Sequence, residues 1–319
     1  MKARLTKITK VFAFISEYAQ DLWLFVRYNG HSPFEDHKRR LSHKTIIEAH
    51  TIEKGLTLPS PKPHFGRKKI LKMLEMNAGW RPHSNELSRS MLVGALRDYQ
   101  DAFAETPAPD AELSERISAF VLGYDAGHAV GGVRHGVQHP EENPDAIAFL
   151  KSRFAAREFG SQSLSDDELT AVIEIAQRTP SQCNRQSVRL HVYRNPAQIQ
   201  ELLALQGGAR GFAENVPSLF IVTSEITAWG GPQQRNQPYV DGGLYAMMLM
   251  LALDAKGFPN CPLNLAIRNR TERAIKKVGN IPSRERLVVM IATGPRPKHP
   301  IRAANSPRWG IDTVCRFHT

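Results

Sequence analysis

The sequence predicts an α+β protein, mainly helical over residues 1–140 and alternating between helix and strand over 141–319. Three observations carry that prediction. Within 86–103, Leu87, Met91, Leu92, Ala95, Leu96, Tyr99 and Phe103 recur at the spacing that places them on one helical face. Further on, Val188, Leu190 and Val192 alternate with Arg189, His191 and Tyr193, the pattern of a strand with one polar face. Between the two parts, 127–145 is rich in Gly, His and Pro and reads as a linker. A chain of 319 residues has room for about two domains.

Taken in order, 11–26 is amphipathic, and 42–54 is a short helix ended by Gly55. Pro59, Pro61 and Pro63 then force extended chain, because proline lacks the helical donor and restricts the residue before it. Pro107 and Pro109 end the helix that begins at Glu86. Leu113, Ile117, Phe120, Val121 and Tyr124 form the next apolar stripe. Ser165 and Glu168 make a capping box ahead of Leu169, Val172, Ile173 and Ala176. Asn195-Pro196 opens a helix through Leu205, with proline at its first position. Residues 219–222 form a short apolar strand. The stretch 243–253 is apolar nearly all round, so a buried helix is expected. A short basic helix at 271–278 and a buried strand at 287–292, ending at Gly294-Pro295, complete the pattern.

Composition excludes several classes. Hydrophobic residues make up 41% and charged residues 23%, normal for a folded globular chain. Three cysteines with no CxxC pair exclude a disulfide framework or a zinc ribbon, and fit a reducing, cytoplasmic setting. No apolar run nears the roughly 18 residues of a membrane span. The basic, then apolar N-terminus is broken by Glu17 and Asp21, which argues against a signal peptide. The net charge is +11, with clusters at Lys38-Arg39-Arg40 and Arg67-Lys68-Lys69. Without a DNA- or RNA-recognition motif, solubility or phosphate pockets explain it better than nucleic acid. His128, His135 and His139 read as a solvated loop rather than metal ligands.

No P-loop, GxGxxG, GxSxG or HExxH is present, nor a Ser/His/Asp or Cys/His arrangement. Cys183 and Cys261 lack an associated base and read as structural. The informative groups are polar. Arg153 and Arg157, four apart, would share one side of a helix and could clamp a phosphate. The turn TPSQCNRQ lies between a helix and a strand, where short side chains and backbone N–H groups face ligands. CPLN follows the apolar helix. Arg302, Ser306 and Arg308 mark a second anion site in a Pro-rich tail. Such a set suits a ligand with a phosphate at one end and a planar ring at the other.

RFAAREF, the capped helix, TPSQCNRQ, the helix after Asp241-Gly242-Gly243, the turn 257–264 and LVVMIATGPRP, in that order, resemble the FMN-dependent nitroreductase family, in a branch with a long N-terminal extension. The resemblance covers about 145–319. It implies an α/β sandwich around a mainly antiparallel sheet, dimerising with two FMN sites at the interface. Arg153 and Arg157 would hold the FMN phosphate and ribityl chain. Pro180, Ser181, Asn184 and Gln186 would reach the flavin from the partner subunit. Pro262, Leu263 and Asn264 would lie against the ring, and Arg302, Ser306 and Arg308 would complete the phosphate site. Gln206 to Arg210 would approach the ring edge. The implied activity is transfer of hydride from NAD(P)H through flavin N5 to a nitroaromatic, quinone or other conjugated acceptor, in ping-pong fashion. The family's serine between its basic residues is Ala155 here, its Pro-Trp is Ser187-Val188, and the region 227–237 is short.

Two other enzyme or binding roles stay open on sequence: an FMN dehydrogenase of a biosynthetic intermediate, and a flavin-binding module without turnover. The N-terminal helix, with Lys2, Arg4, Lys7 and Lys10 ahead of Phe12, Phe14, Tyr18 and Trp23, could meet a membrane surface. Packing on the core or on a partner subunit is the favoured reading. Residues 52–56 and 64–66 are expected to shape the substrate entrance, as a lid or a dimer arm.

Overall fold

The computed structural model describes residues 2–78, 87–105, 110–122, 124, 129–138 and 140–318, with backbone alone for 2–10. Glu86, Pro107, Pro109, His128 and His139 lie outside the described residues. Helices come first: α1 (Lys2–Tyr28), α2 (His37–Leu56), α3 (Arg67–Asn77), α4 (Leu87–Phe103) and α5 (Ala111–Leu122). Ile46, Ala49 and Ile52 of α2 close one core with Ile70 and Leu74 of α3, the α4 stripe, and Leu113 and Ile117 of α5. Segments 52–56 and 64–66 belong to this core rather than to an entrance. Ile52 is 5% exposed. A Cβ on Gly55 would stand 2.2 Å from the Phe65 ring, which packs edge-on to Tyr99 at 5.3 Å.

Amphipathicity in α1 is inverted. Its inward face is polar: Glu17 accepts from Asn269 N and Nδ2, both at 2.8 Å, and Asp21 pairs with Arg286 at 2.6 Å. Its outward face carries Val11, Phe12, Ile15, Leu22 and Trp23, each more than half exposed. Soluble monomers rarely expose so large a contiguous apolar patch. Among the described residues no helix is long and apolar enough to cross a membrane.

After α6 (Pro144–Ser152), the second part forms a three-layer sandwich. Strands β1 (Val188–Tyr193), β2 (Ser218–Glu225), β3 (Asn260–Asn264) and β4 (Glu285–Thr293) make an antiparallel sheet ordered β1-β2-β4-β3. Side chains alternate between its faces. Leu219, Ile221, Met290 and Ala292 meet α8 (Pro196–Gln206) and α10 (Asn269–Val278) through Ile199, Leu202 and Ile275. Phe220, Val222 and Ile291 meet α7 (Asp166–Ala176) and α9 (Gln237–Ala255) through Val172, Leu249 and Leu253. A short helix, α11 (Ile311–Val314), lies in the C-terminal tail.

The Ser165–Glu168 capping box forms as expected, and Asn195 caps α8 with Pro196 at its start. The register slips between Val222 and Thr223, so Val288 and Val289 both turn toward α9. Helix α9 approaches that bulge through Gly242, where a Cβ would stand 2.5 Å from Val288 Cγ2. The expectation that 243–253 is buried all round is corrected. Tyr239, Val240, Leu244 and Met247 are 42–50% exposed, leaving one apolar side of α9 bare.

Candidate functional site

Arg153 and Arg157 do not lie on a helix. Helix α6 ends at Ser152, Arg153 is already extended (φ −62°, ψ 130°), and the chain runs beside β3, with Ala156 N donating to Asn260 O at 2.8 Å. Residues an even number apart also share one side of an extended chain, so the pairing survives by another route. Both guanidiniums act on Cys261: burial pushes its thiol up, and the charges of Arg157 and Arg153 oppose that. Ala155 packs against the apolar core.

Three buried polar atoms meet here without partners: Arg153 Nη1, Asp254 Oδ2 and Asn260 Oδ1. Asn260 Nδ2 donates to the other Asp254 oxygen at 2.8 Å. Burial pushes the Asp254 carboxyl up to about 6, against the Arg153 charge and the Asn260 hydrogen bond. Buried polar groups are nearly always satisfied, so an unpaired donor among unpaired acceptors marks a place for a polar ligand. A phosphate with a polyol supplies both acceptors and donors, so these atoms fit FMN.

The expected turn 257–264 is instead β3 from Asn260 onward, because CPLN pairs with Val289 to Ala292 of β4. Pro262 is half-buried, Leu263 buried and Asn264 exposed. Gln206 Nε2 donates to Asn264 O at 2.8 Å, which sets the end of α8 beside the end of β3. Asn264 lines a cavity of about 820 Å³, whose other walls include Phe14 and Tyr18 of α1 and Tyr239 of α9.

The loop with Pro180, Ser181, Asn184 and Gln186 is held by Asp241, which is 2% exposed. Ser181 Oγ and Gln182 N donate to Asp241 Oδ2 at 2.7 and 3.0 Å, and Gln186 N donates to Ser181 Oγ at 2.9 Å. Cys183, Asn184 and Gln186 have φ of 52°, 52° and 49°. Left-handed backbone in non-glycine residues costs on the order of 1–3 kcal/mol each and gathers at functional sites. Arg185 beneath the loop donates to Ala228 O and lies 5.3 Å from the Trp229 ring centre; burial lowers its pKa. Pro180, Ser181 and Gln186 line a second cavity of about 840 Å³, whose opposite wall is α2. The short stretch 227–237 docks the N-terminal part, with Gly30 N donating to Trp229 O at 2.6 Å.

Within one chain these two groups stay apart. β3 and the loop leading into β1 lie at opposite edges of the sheet, three strand spacings or about 14 Å apart. Asp241 and Asp254 are 13 positions apart on α9, about 20 Å. The tail is only partly gathered. Arg302 sits against Glu158, helping hold that carboxyl low after the main effect of the His299 hydrogen bond. Arg308 Nη1 donates to its own neighbours Ser306 O and Pro307 O, and all three tail residues are exposed.

A buried ionic centre escaped the sequence reading. Glu225, 3% exposed, meets Arg39 at 2.9 Å, Arg189 at 2.8 Å, Arg284 at 3.4 Å and His43 at 3.8 Å. Burial alone would raise its pKa; the proximity of His43 and the charges of Arg189 and Arg39 outweigh that and hold it at about 2. These partners come from α2, β1 and the turn before β4, and no local spacing announces the set. The only hint was the Lys38-Arg39-Arg40 cluster. Among the described residues no group of His, Cys, Asp and Glu could hold a metal.

Comparison with solved structures finds similar chains of low identity. One is a nitroreductase-like protein from Streptococcus mutans: 20% identity, TM-score 0.48, covering 55% of this chain and 98% of that one. Another, from Desulfovibrio desulfuricans, is described as a nitroreductase in complex with FMN: 19% identity, TM-score 0.48, coverage 56% and 99%. A third is an FMN-dependent nitroreductase from Clostridium difficile: 17% identity, TM-score 0.46, coverage 54% and 99%. Residues 150–208, which carry Arg153, Arg157 and the Pro180–Gln186 loop, match the model of the nitroreductase family.

Proposed function

We propose that this chain is an FMN-dependent NAD(P)H oxidoreductase acting as a homodimer, with residues 1–140 as a helical extension and 141–319 as the FMN domain. The observation that carries the reading is the set of unpaired buried atoms on Arg153, Asp254 and Asn260. Arg153 would hold the phosphate, joined by Arg157, which makes no ion pair among the described residues. Asp254 and Asn260 would accept from polyol hydroxyls. Pro262, Leu263 and Asn264 would present the β3 edge to the ring. When bound, FMN would supply the hydride-transfer chemistry between NAD(P)H and a nitroaromatic, quinone or other conjugated acceptor.

The same reading explains why Asn264 lines one cavity and Pro180, Ser181 and Gln186 another. In a symmetric pair, Pro180, Ser181, Asn184 and Gln186 of one copy would complete the site on the other. Val240, Leu244 and Met247 form a stripe at four- and three-residue spacing on the bare side of α9, the pattern of a helix–helix seam. The outward face of α1 adds apolar surface for a partner. Arg302 would join the phosphate site through its place beside Glu158, and Ser306 and Arg308 would join it from the exposed tail. Equilibrium titration of the purified protein with FMN, followed by flavin fluorescence alongside light scattering, tests this. One FMN per chain in a dimer is expected; no uptake would refute it.

A further inference from the structure

The 840 Å³ cavity holds a feature that neither cofactor binding nor folding uses. Its carboxylates are buried and saturated: Glu225 by its three arginines and His43, Asp241 by Ser181, Gln182 and Gln237. Asp36 aside, the polar side chains on its accessible lining can all donate. Lys38, Ser42 and Gln177 line it and have no side-chain partner among the described residues. Arg39 lines it as well, with Nη1 on Glu225 and Nε 3.6 Å from Glu35, its side chain about a third exposed and its other terminal nitrogen left over among the described residues. Glu225 and Asp241 therefore lie beneath the wall, while Lys38, Arg39, Ser42 and Gln177 face the space. The only exposed carboxylate on the lining, Asp36, accepts from Lys38 N at 2.7 Å as the cap of α2.

We propose that this cavity is a subsite for an anionic group of a redox substrate, held by Lys38 and Arg39 of α2 with Ser42 and Gln177. The proposal rests on the FMN reading, because Pro180, Ser181 and Gln186 on the same wall are the residues that reading sets against the flavin. A carboxylate on the electron acceptor and a phosphate on the nicotinamide nucleotide share this chemistry, and the experiment separates them.

Lys38→Glu is the variant of choice. Lys38 is exposed in the first turn of α2, where an acidic residue suits the helix end, so folding is retained. Lys72→Glu, on the exposed side of α3, controls for the change in overall charge. Holoenzyme is assayed with 4-nitrobenzoate against nitrobenzene at saturating nucleotide, and with NADPH against NADH at saturating nitrobenzene. Calorimetric binding of 4-nitrobenzoate and of NADP⁺ gives a readout without turnover. A preference for the anionic acceptor that falls at least about fivefold in Lys38→Glu, but not in Lys72→Glu, supports the proposal with the acceptor as source. The same loss confined to NADPH over NADH supports it with the nucleotide as source. Unchanged ratios and unchanged calorimetric binding, in a protein that holds FMN, overturn the proposal and leave the FMN reading standing. A protein that takes up no FMN overturns both.

Discussion

Arg153 and Arg157 look equivalent in sequence, but the structure separates them, and that difference can be measured. Arg153 is half-buried, with Nη1 removed from solvent and unpaired; Arg157 is exposed. A charged hydrogen bond in a desolvated place is worth about 1.5–3 kcal/mol. Removing one partner of a buried pair costs about 2–5 kcal/mol, because the other charge is left behind. Arg153→Ala would also leave Asp254 without the nearby positive charge that opposes its burial. We expect it to weaken FMN binding by about 2–4 kcal/mol, roughly 30- to 1,000-fold. Arg157→Ala should cost at most about 1 kcal/mol, roughly fivefold, as for an exposed ion pair. Fluorescence titration of both variants at one ionic strength, with circular dichroism to confirm folding, gives the comparison. Equal losses, or an Arg153→Ala variant that is folded and binds normally, would refute the placement of the phosphate.

Further expectations follow from other elements. Leu244→Glu puts a charge in the bare α9 stripe, where the single chain leaves it 48% exposed. The variant should fold and run as a monomer in light scattering, whereas a dimer equal to wild type would remove α9 from the interface. Gly242→Val should lower stability by about 1–3 kcal/mol in urea unfolding, because its side chain meets Val288 at the bulge; an unchanged midpoint would mean that α9 shifts freely. Glu225 has a pKa held at about 2 against an ordinary 4.5. Its contribution is therefore present above the ordinary value and is lost as pH falls from about 4.5 toward 2. At about 1.4 kcal/mol per unit this amounts to on the order of 3 kcal/mol. Wild type should lose that stability across this window, while Glu225→Gln, weaker at neutral pH, should show a flatter profile; parallel profiles would count against the ionic centre.

Local signals were legible where one short stretch decides the outcome. Ser165 with Glu168, Asn195 with Pro196, and the alternation of Val188, Leu190 and Val192 each fixed an element, because capping and pleating act over a few residues. The segment after Ser152 was misread because Arg153 and Arg157 fall on one side in a helix and in an extended chain alike. The uniform apolarity of 243–253 predicts burial but not what covers it, so the bare side of α9 could not be foreseen. In a symmetric pair both sides would be covered, and the pattern would be honoured after all. The polar inward face of α1 is satisfied by Asn269 and Arg286, more than 250 positions away. Glu225 gathers Arg39, Arg189 and Arg284 from segments 186, 36 and 59 positions away. Such long-range pairings leave no periodic trace, and neither does the separation of the site halves across the sheet.

The most direct test is the visible absorption spectrum of the purified, FMN-reconstituted protein, recorded anaerobically before and after NADH and then NADPH. The account predicts oxidised-flavin bands that bleach with at least one nucleotide and return when a quinone or nitroaromatic is added. Bands that persist with both nucleotides would contradict NAD(P)H oxidoreductase activity and favour a dehydrogenase with another donor or a binding module. Absence of flavin bands after reconstitution would contradict the cofactor site itself.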